Sequence, residues 1–219
     1  MHKLSTVLFL LVSYCYNSQT LVGVYADLGK SVYVREHGRE TLSPGNAWSA
    51  GMNFHFITSK HFNPIIDLGY SQKRYSGHEY IKGYIPPDFD VTNLYTFREL
   101  HLNLGLRCNI LNKKHKLFID AAMNNNHILE RSDKFQINDD EPQTTYYPVP
   151  NRYYAGVLFG IGYNFNNKFS VSFTTKKALS SFDQDVQTRL NMNCITLCYF
   201  LPILANRRIR PVPVEPNEP

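Results

Sequence analysis

Apolar and polar residues alternate strictly along residues 97–110, FRELHLNLGLRCNI. One parity is mostly leucine and includes Leu100, Leu102, Leu104, Leu106, Cys108 and Ile110. The other parity is charged, polar or glycine and includes Glu99, His101, Asn103, Gly105, Arg107 and Asn109. Successive side chains of a β-strand point to opposite faces, whereas a helix would mix the two sets around its circumference. The pattern therefore predicts a long strand with one apolar and one polar face.

Seven further segments show the same alternation. Each of them predicts a strand: 20–29, 47–58, 64–75, 116–125, 153–165, 169–177 and 190–201. The last segment is ambiguous because both of its parities are largely apolar. Ile195, Leu197 and Tyr199 belong to one stripe, and Cys194 and Phe200 belong to the other. We favour the stripe that contains Ile195 as the outward one.

The connections between these strands alternate between long and short. Long loops are predicted at 35–46, 76–93, 130–152 and 180–189, and short turns at 59–63, 112–115 and 166–168. Outer-membrane barrels have long outer loops and short periplasmic turns. The sequence therefore predicts an eight-stranded antiparallel transmembrane up-and-down β-barrel over residues 19–202. It is expected in a cell outer membrane with both termini in the periplasm.

The alternation alone also fits a soluble barrel with an apolar interior, such as a lipocalin. Two features of the faces favour the membrane. Aromatic residues lie towards the ends of the apolar stripes, as in an interfacial girdle: Tyr70, Tyr153, Tyr163, Phe165 and Phe169. The polar face is rich in glycine and carries charges of both signs in mid-strand, which suits a narrow interior.

The two ends of the chain depart from this pattern. Residues 1–18 place Lys3 before a short apolar run, which is typical of a secretory signal peptide. Lipidation of Cys15 and an uncleaved N-terminal segment are the alternatives. Residues 203–219, ILANRRIRPVPVEPNEP, are proline-rich and predict a short, extended, disordered periplasmic tail.

Composition adds limits on function. The chain has 219 residues, a net charge of +5 and a mean hydropathy of −0.33. This length fits one all-β domain, and the positive charge is spread without a basic run, so no nucleic-acid partner is expected. Cys194 and Cys198 have no His or Asp partner at ligand spacing. We therefore expect no metal site.

Charged residues on the polar faces are the first candidate site. They are Asp67, Lys73, Glu99, His101, Arg107 and Asp120. Side chains fill the lumen of an eight-stranded barrel, and charges buried there must be paired. We expect an interior charge network that closes the lumen, with an ion or proton path along the same residues as the alternative. No serine stands at a diagnostic spacing from His101, so no catalytic residues are assigned.

Aromatic residues in the predicted outer loops are the second candidate site. They are Tyr80, Tyr84, Phe89, Tyr146 and Tyr147. Tyrosine is enriched in binding surfaces because it offers a large amphipathic area at low entropy cost. These residues predict a surface for a protein or glycan partner, with an aromatic belt and loop packing as the alternative.

Four segments together resemble a known family: PIIDLGYSQKRYS, YTFRELHLNLGLRC, KLFIDAAMNNNHIL and YYAGVLFGIGYNF. In their order they resemble the third, fourth, fifth and sixth strands of the PorT-like small outer membrane protein beta-barrel family of Bacteroidota. The resemblance covers about residues 20–201. It implies outer-membrane location, no cofactor and no catalytic residues, and some members are accessory parts of secretion or envelope-assembly machines.

We therefore expect a non-enzymatic protein with a structural or interaction role. Its partners would be outer-membrane lipid and other envelope proteins, reached through the outer loops or the C-terminal tail. A small pore or solute transporter is the alternative, and a lipid-active enzyme is a more distant one.

Overall fold

The computed structural model describes residues 19–35, 43–81, 89–110, 115–137, 141–149, 152–165, 168–181 and 188–201. Within these ranges the chain forms nine strands. They are β1 Gln19–Arg35, β2 Ser43–Ile57, β3 Phe62–Ile81, β4 Phe89–Asn109, β5 His115–Ile137, β6 Gln143–Tyr147, β7 Tyr153–Phe165, β8 Phe169–Ala178 and β9 Thr188–Phe200. The described residues contain no helix long and apolar enough to cross a bilayer. The predicted signal peptide and proline-rich tail lie outside the described residues.

Eight of the strands close into an antiparallel barrel. The order of pairing is β4-β3-β2-β1-β9-β8-β7-β5, and β4 pairs with β5 to close the ring. Strands that follow one another in the sequence are therefore neighbours in the barrel. The two exceptions are the pairing of β1 with β9 and the pairing of β5 with β7. This confirms the predicted eight-stranded up-and-down barrel. The exception is β6, which pairs only with β5 among the described strands.

Two of the loop predictions are wrong over much of the predicted length. β3 and β4 stay paired through the predicted loop 76–93, up to Ile81 opposite Phe89. β5 continues to Ile137, and β6 lies inside the predicted loop 130–152. These segments contain tyrosine, threonine and valine, which favour strands, but they lack the alternation on which the prediction relied. The chain therefore extends its hairpins well beyond the barrel wall at one end.

We call that end the hairpin end. At the opposite end, which we call the terminal end, lie Gln19, Leu201 and the short connection between β2 and β3. The two extended hairpins pair with each other, because Val91 of β4 lies opposite Ile137 of β5. The ends of β3, β4, β5 and β6 thus form one four-stranded sheet at the hairpin end, which we call the hairpin extension.

The apolar stripes face outward, as predicted. Leu100, Leu104 and Leu106 are 44–52% exposed, whereas the neighbouring Glu99 and His101 are buried. The favoured parity of the last strand is also confirmed. Its outward stripe is Ile195, Leu197 and Tyr199, and its buried stripe is Met192, Cys194, Cys198 and Phe200. The alternative of a barrel with an apolar interior is contradicted, because so large an exposed apolar band is stable only against lipid.

Aromatic rings lie along the margins of this band. Near the terminal end Phe165 packs against Tyr163 and Phe169, with ring centroids 4.5 and 6.0 Å apart. Nearer the hairpin end Trp48 packs on Tyr70 at 5.5 Å. Their amphipathic rings suit the boundary between hydrocarbon and water.

Glycines make room for the polar side chains inside the narrow barrel. At Gly69 a Cβ atom would lie 2.3 Å from the Tyr25 hydroxyl and 2.7 Å from the Ala50 carbonyl oxygen. At Gly160 the nearest atom to a Cβ, the Thr174 hydroxyl oxygen, would lie 3.3 Å away. The lumen therefore tolerates an added methyl group at some positions and not at others.

We expect Gly69→Ala to lower the free energy of unfolding by about 1–3 kcal/mol, the usual cost of overpacking. Gly160→Ala is the matched control and should change it by much less. Both are measured by urea unfolding in detergent, with the difference in gel mobility between boiled and unboiled samples as the readout. Equal loss in the two variants would contradict this account of the lumen.

Candidate functional site

Arg107 and Asp120 form an ion pair in the lumen between β4 and β5. The two residues are register partners, and both are buried. Arg107 Nε and Nη2 donate to the two carboxylate oxygens of Asp120, each at 2.8 Å. The guanidinium carbon also lies 3.7 Å from the centre of the Phe118 ring. Two parallel hydrogen bonds and an aromatic face hold this cation firmly.

A second ion pair lies between β3 and β4, nearer the hairpin end. Lys73 Nζ lies 2.7 Å from Glu99 Oε2, and both side chains are buried. The Tyr154 hydroxyl donates to the same Glu99 oxygen at 2.8 Å and accepts from Lys73 at 2.6 Å. Three strands are thus joined through one carboxylate.

The other two predicted interior residues, His101 and Asp67, find neutral partners. His101 does not bond to Glu99, and its Nε2 lies 2.5 Å from the Tyr25 hydroxyl instead. Asp67 accepts hydrogen bonds from Asn53 and, at 3.3 Å, from Asn103. Within the described ranges no Lys or Arg lies within ion-pair distance of Asp67.

A third buried ion pair was missed by the sequence analysis. Lys176 of β8 donates to Asp27 of β1 at 2.6 Å, and Ser49 donates to the same carboxylate oxygen. The sequence indicates that both side chains face inward, because Asp27 lies on the polar parity of β1 and Lys176 continues the polar parity of Thr174. It does not indicate that they pair, since β9 separates the two strands in the barrel.

An apolar cluster closes the lumen at the hairpin end. We call it the aromatic plug, and its buried members are Tyr75, Phe97, Ile128, Tyr154, Ala178 and Leu190. Tyr33 and Tyr95 pack against it from the side. Tyr75 and Phe97 lie on the polar parity of their strands, two positions beyond Lys73 and Glu99. The sequence analysis therefore missed a change from polar to apolar along the same interior face.

A pair of charges lies over the aromatic plug. Arg131 Nη2 lies 2.9 Å from Asp133 Oδ2, and its guanidinium carbon lies 5.7 Å from the centre of the Phe97 ring. Burial raises the pKa of the Asp133 carboxyl, and the hydrogen bonds from Arg131 offset this only in part. The pair sits in the hairpin extension, beyond the apolar band.

The cavities inside the barrel are unequal. The mid-lumen cavity, which Asp67, Arg107 and Asp120 help to line, has a volume of about 30 Å³. At the terminal end a wider mouth of about 330 Å³ is lined by polar groups that include His55 and Lys116. A buried water needs roughly 10–15 Å³ of such volume, so the middle of the lumen has room for only about two waters.

The sequence profile of the family described as outer membrane protein beta-barrel domain matches residues 24–206. The chain belongs to this family. The barrel therefore resides in an outer membrane, with its apolar band against lipid. This agrees with the resemblance inferred from the sequence at the level of the outer-membrane barrel family.

Several solved structures of outer-membrane barrels are similar in fold to this chain. Ail, the attachment invasion locus protein of Yersinia pestis, was solved with the heparin analogue sucrose octasulfate. Its sequence is 9% identical to this one and the TM-score is 0.41; the match covers 84% of this chain and 99% of the Ail chain. Neisserial surface protein A is 11% identical with a TM-score of 0.39, over 84% and 98%. OprG from Pseudomonas aeruginosa is 8% identical with a TM-score of 0.35, over 84% and 94%. A comparison with curated proteins finds no match.

Four of the five aromatic residues predicted to form an outer surface lie on strands of the hairpin extension. Tyr146 is 69% exposed. Tyr80, Phe89 and Tyr147 lie within strands, and their side chains are outside the described part of the structure. Tyr84 lies outside the described residues altogether. Among the described residues no cluster of His, Cys, Asp or Glu could hold a metal ion.

We expect Lys176→Met to lower the free energy of unfolding by roughly 3–5 kcal/mol, because it leaves the Asp27 carboxylate buried without its cation. The neighbouring Lys177 points outward and is exposed, so Lys177→Met is the matched control. It should change stability by no more than about 0.5 kcal/mol. Urea titration of the folded barrel in detergent measures both variants. Similar stability of the two would mean that the interior pair contributes little.

Proposed function

We propose that this chain is a non-enzymatic outer-membrane protein that acts through its hairpin extension. Its role would be structural or interactive, as an accessory subunit of a secretion or envelope-assembly complex. The observation that carries this proposal is the filled lumen, which leaves the hairpin extension as the surface available for function.

The contents of the lumen argue against transport. Within the described structure, three ion pairs lie in the interior, and the aromatic plug covers them at the hairpin end. The mid-lumen cavity of about 30 Å³ is too small for a hydrated ion. These features support a barrel that anchors and positions the rest of the molecule.

The hairpin extension is larger than a membrane anchor requires. A transmembrane strand needs about 9–11 residues, whereas β4 has 21 and β5 has 23. Among the described strands, β6 pairs on one side only, so its other edge presents backbone groups. Tyr146 projects from this edge strand. An unpaired edge beside an exposed tyrosine is a recognised way to take up a partner strand.

The remaining details of the proposal follow the sequence. We place the hairpin end outside the cell and both termini in the periplasm, since long outer hairpins and short periplasmic turns are the rule. Residues 1–18 would be a cleaved signal peptide, and residues 203–219 a periplasmic docking segment. Close kinship with the PorT-like proteins of Bacteroidota belongs to this proposal as well.

A small pore or solute transporter is the second candidate function. The mouth of about 330 Å³ at the terminal end favours it, because polar side chains there could admit solute. This function needs a continuous aqueous route past the Arg107–Asp120 pair and through the aromatic plug. The two functions therefore differ in whether the lumen conducts.

We expect the protein to co-purify with another envelope protein in mild detergent and Tyr146→Ala to reduce that co-purification about tenfold or more, as at a binding hot spot. Tyr199→Ala is the matched control, since Tyr199 is 46% exposed but lies on the lipid-facing wall. Quantitative mass spectrometry of the purified samples, each checked for heat-modifiable migration, measures the effect. Purification of the barrel alone, or equal loss in both variants, would contradict the proposal.

A further inference from the structure

A cleft of about 490 Å³ opens on the lipid-facing wall of the barrel, across β3, β4, β5 and β7. Its volume falls within the range of small-molecule sites, roughly 300–1,000 Å³. The outward side chains that form it come from two adjoining rows of the sheet: Leu68, Leu102, Asn125 and Ala155, then Leu100, His127 and Tyr153. The next row towards the hairpin end contains Arg98 and Glu130, so the cleft lies at the margin of the apolar band.

The walls of the cleft are apolar. Leu68, Leu100 and Leu102 are exposed on one side, and the Tyr153 ring stands on the other. Ala155 forms the floor of the cleft, where its small side chain leaves space. Its carbonyl oxygen accepts hydrogen bonds from the backbone N–H groups of Leu179 (2.9 Å) and Ser180. A cleft of this shape, open to the bilayer, suits a hydrocarbon chain.

Two polar side chains interrupt the apolar stripe of β5 within the cleft. Asn125 is exposed, and among the described residues its amide reaches only the Leu102 carbonyl oxygen, at 3.5 Å. The His127 ring packs on Tyr153 with centroids 4.3 Å apart. Its Nδ1 atom is buried and has no hydrogen-bond partner in the part of the chain that the structure describes, so Nε2 is the ring nitrogen that a ligand could reach. Polar groups facing hydrocarbon without partners are unfavourable, so both fit a ligand that brings polar atoms to this depth.

Positive charge lies immediately beyond these polar groups. Arg98 is exposed and lies 2.9 Å from Glu130. Arg152 is also exposed, and its carbonyl oxygen accepts from the N–H of Ile128, the residue after His127. Because Glu130 offsets the charge of Arg98, the net positive charge here comes from Arg152. The cleft thus runs from apolar through polar surface to two exposed arginines, which is the order of chemistry along an anionic lipid.

We propose that this cleft is a binding site for one anionic acyl lipid of the surrounding leaflet. The chain lies between the leucines and Tyr153, the linkage region bonds to Asn125 and His127, and the headgroup meets Arg98 and Arg152. The site is separate from the hairpin extension and does not depend on the function proposed above.

Ser180 also borders the cleft, so it brings together a serine and a histidine that lie far apart in the sequence. The Ser180 hydroxyl oxygen accepts from the Ala155 N–H at 2.8 Å. Within the described ranges no hydrogen bond joins Ser180 to His127. The arrangement therefore supports binding and supplies no activated nucleophile.

The test is native mass spectrometry of the purified barrel titrated with palmitoyl-oleoyl phosphatidylglycerol, with the phosphatidylcholine of the same chains for comparison. We expect the wild type to retain one phosphatidylglycerol in preference to phosphatidylcholine. The double substitution Asn125→Leu with His127→Leu should weaken retention about tenfold or more, since it removes two polar contacts. Ala155→Phe, which fills the floor of the cleft, should do the same by a different route.

The matched control is Asn193→Leu, which removes an exposed, lipid-facing amide on β9, outside the cleft. It should leave retention within about twofold of the wild type. Heat-modifiable migration establishes that each variant is folded. Equal retention by the cleft variants and the wild type would overturn the proposal, and so would equal retention of the two lipids.

Discussion

The structure depends on the pairing of charges inside a lumen that is too narrow for bulk water. Arg107 with Asp120, Lys73 with Glu99 and Lys176 with Asp27 are all buried, and each pair joins different strands. A buried charge without a partner would be strongly unfavourable, so the strands present these six charges at matching levels. Asp67 is bonded by Asn53 and Asn103 instead. The pairs therefore restrict the register of the barrel, since a shift of one strand by one residue would turn its charged side chain towards lipid.

The outer surface obeys the complementary constraint. Hydrocarbon offers no hydrogen bonds, so the barrel closes β4 on β5 and leaves no open strand edge within the apolar band. Two neighbouring exceptions to an apolar outer wall are then informative. Asn125 and His127 are polar at the margin of the band, and the cleft around them is where we place a lipid. Beyond the band the constraint lifts, and the hairpin extension exposes both a strand edge and Tyr146.

The sequence predicted those parts of the fold that follow from alternation. The leucine stripe of β4 identified the strand and its outward face, because side-chain parity in a strand leaves only two choices. It did not identify partners. Tyr25 and His101 bond across the barrel although they are far apart in the chain. Lys176 was overlooked because its partner, Asp27, lies on a strand two places away. The aromatic plug was missed because Tyr75 and Phe97 lie on a parity read as polar, and the hairpin extension because it does not alternate.

The central claim is that the lumen is closed, and ion conductance in planar bilayers tests it most directly. The wild-type barrel is inserted at known density, with heat-modifiable migration of the same proteoliposomes to establish that it is folded. The account predicts that the current stays at the level of protein-free bilayers at either polarity. Discrete conductance steps that Arg107→Gln or Glu99→Gln alters would contradict it, because they would place a continuous aqueous path along the residues that we assign to closing the barrel.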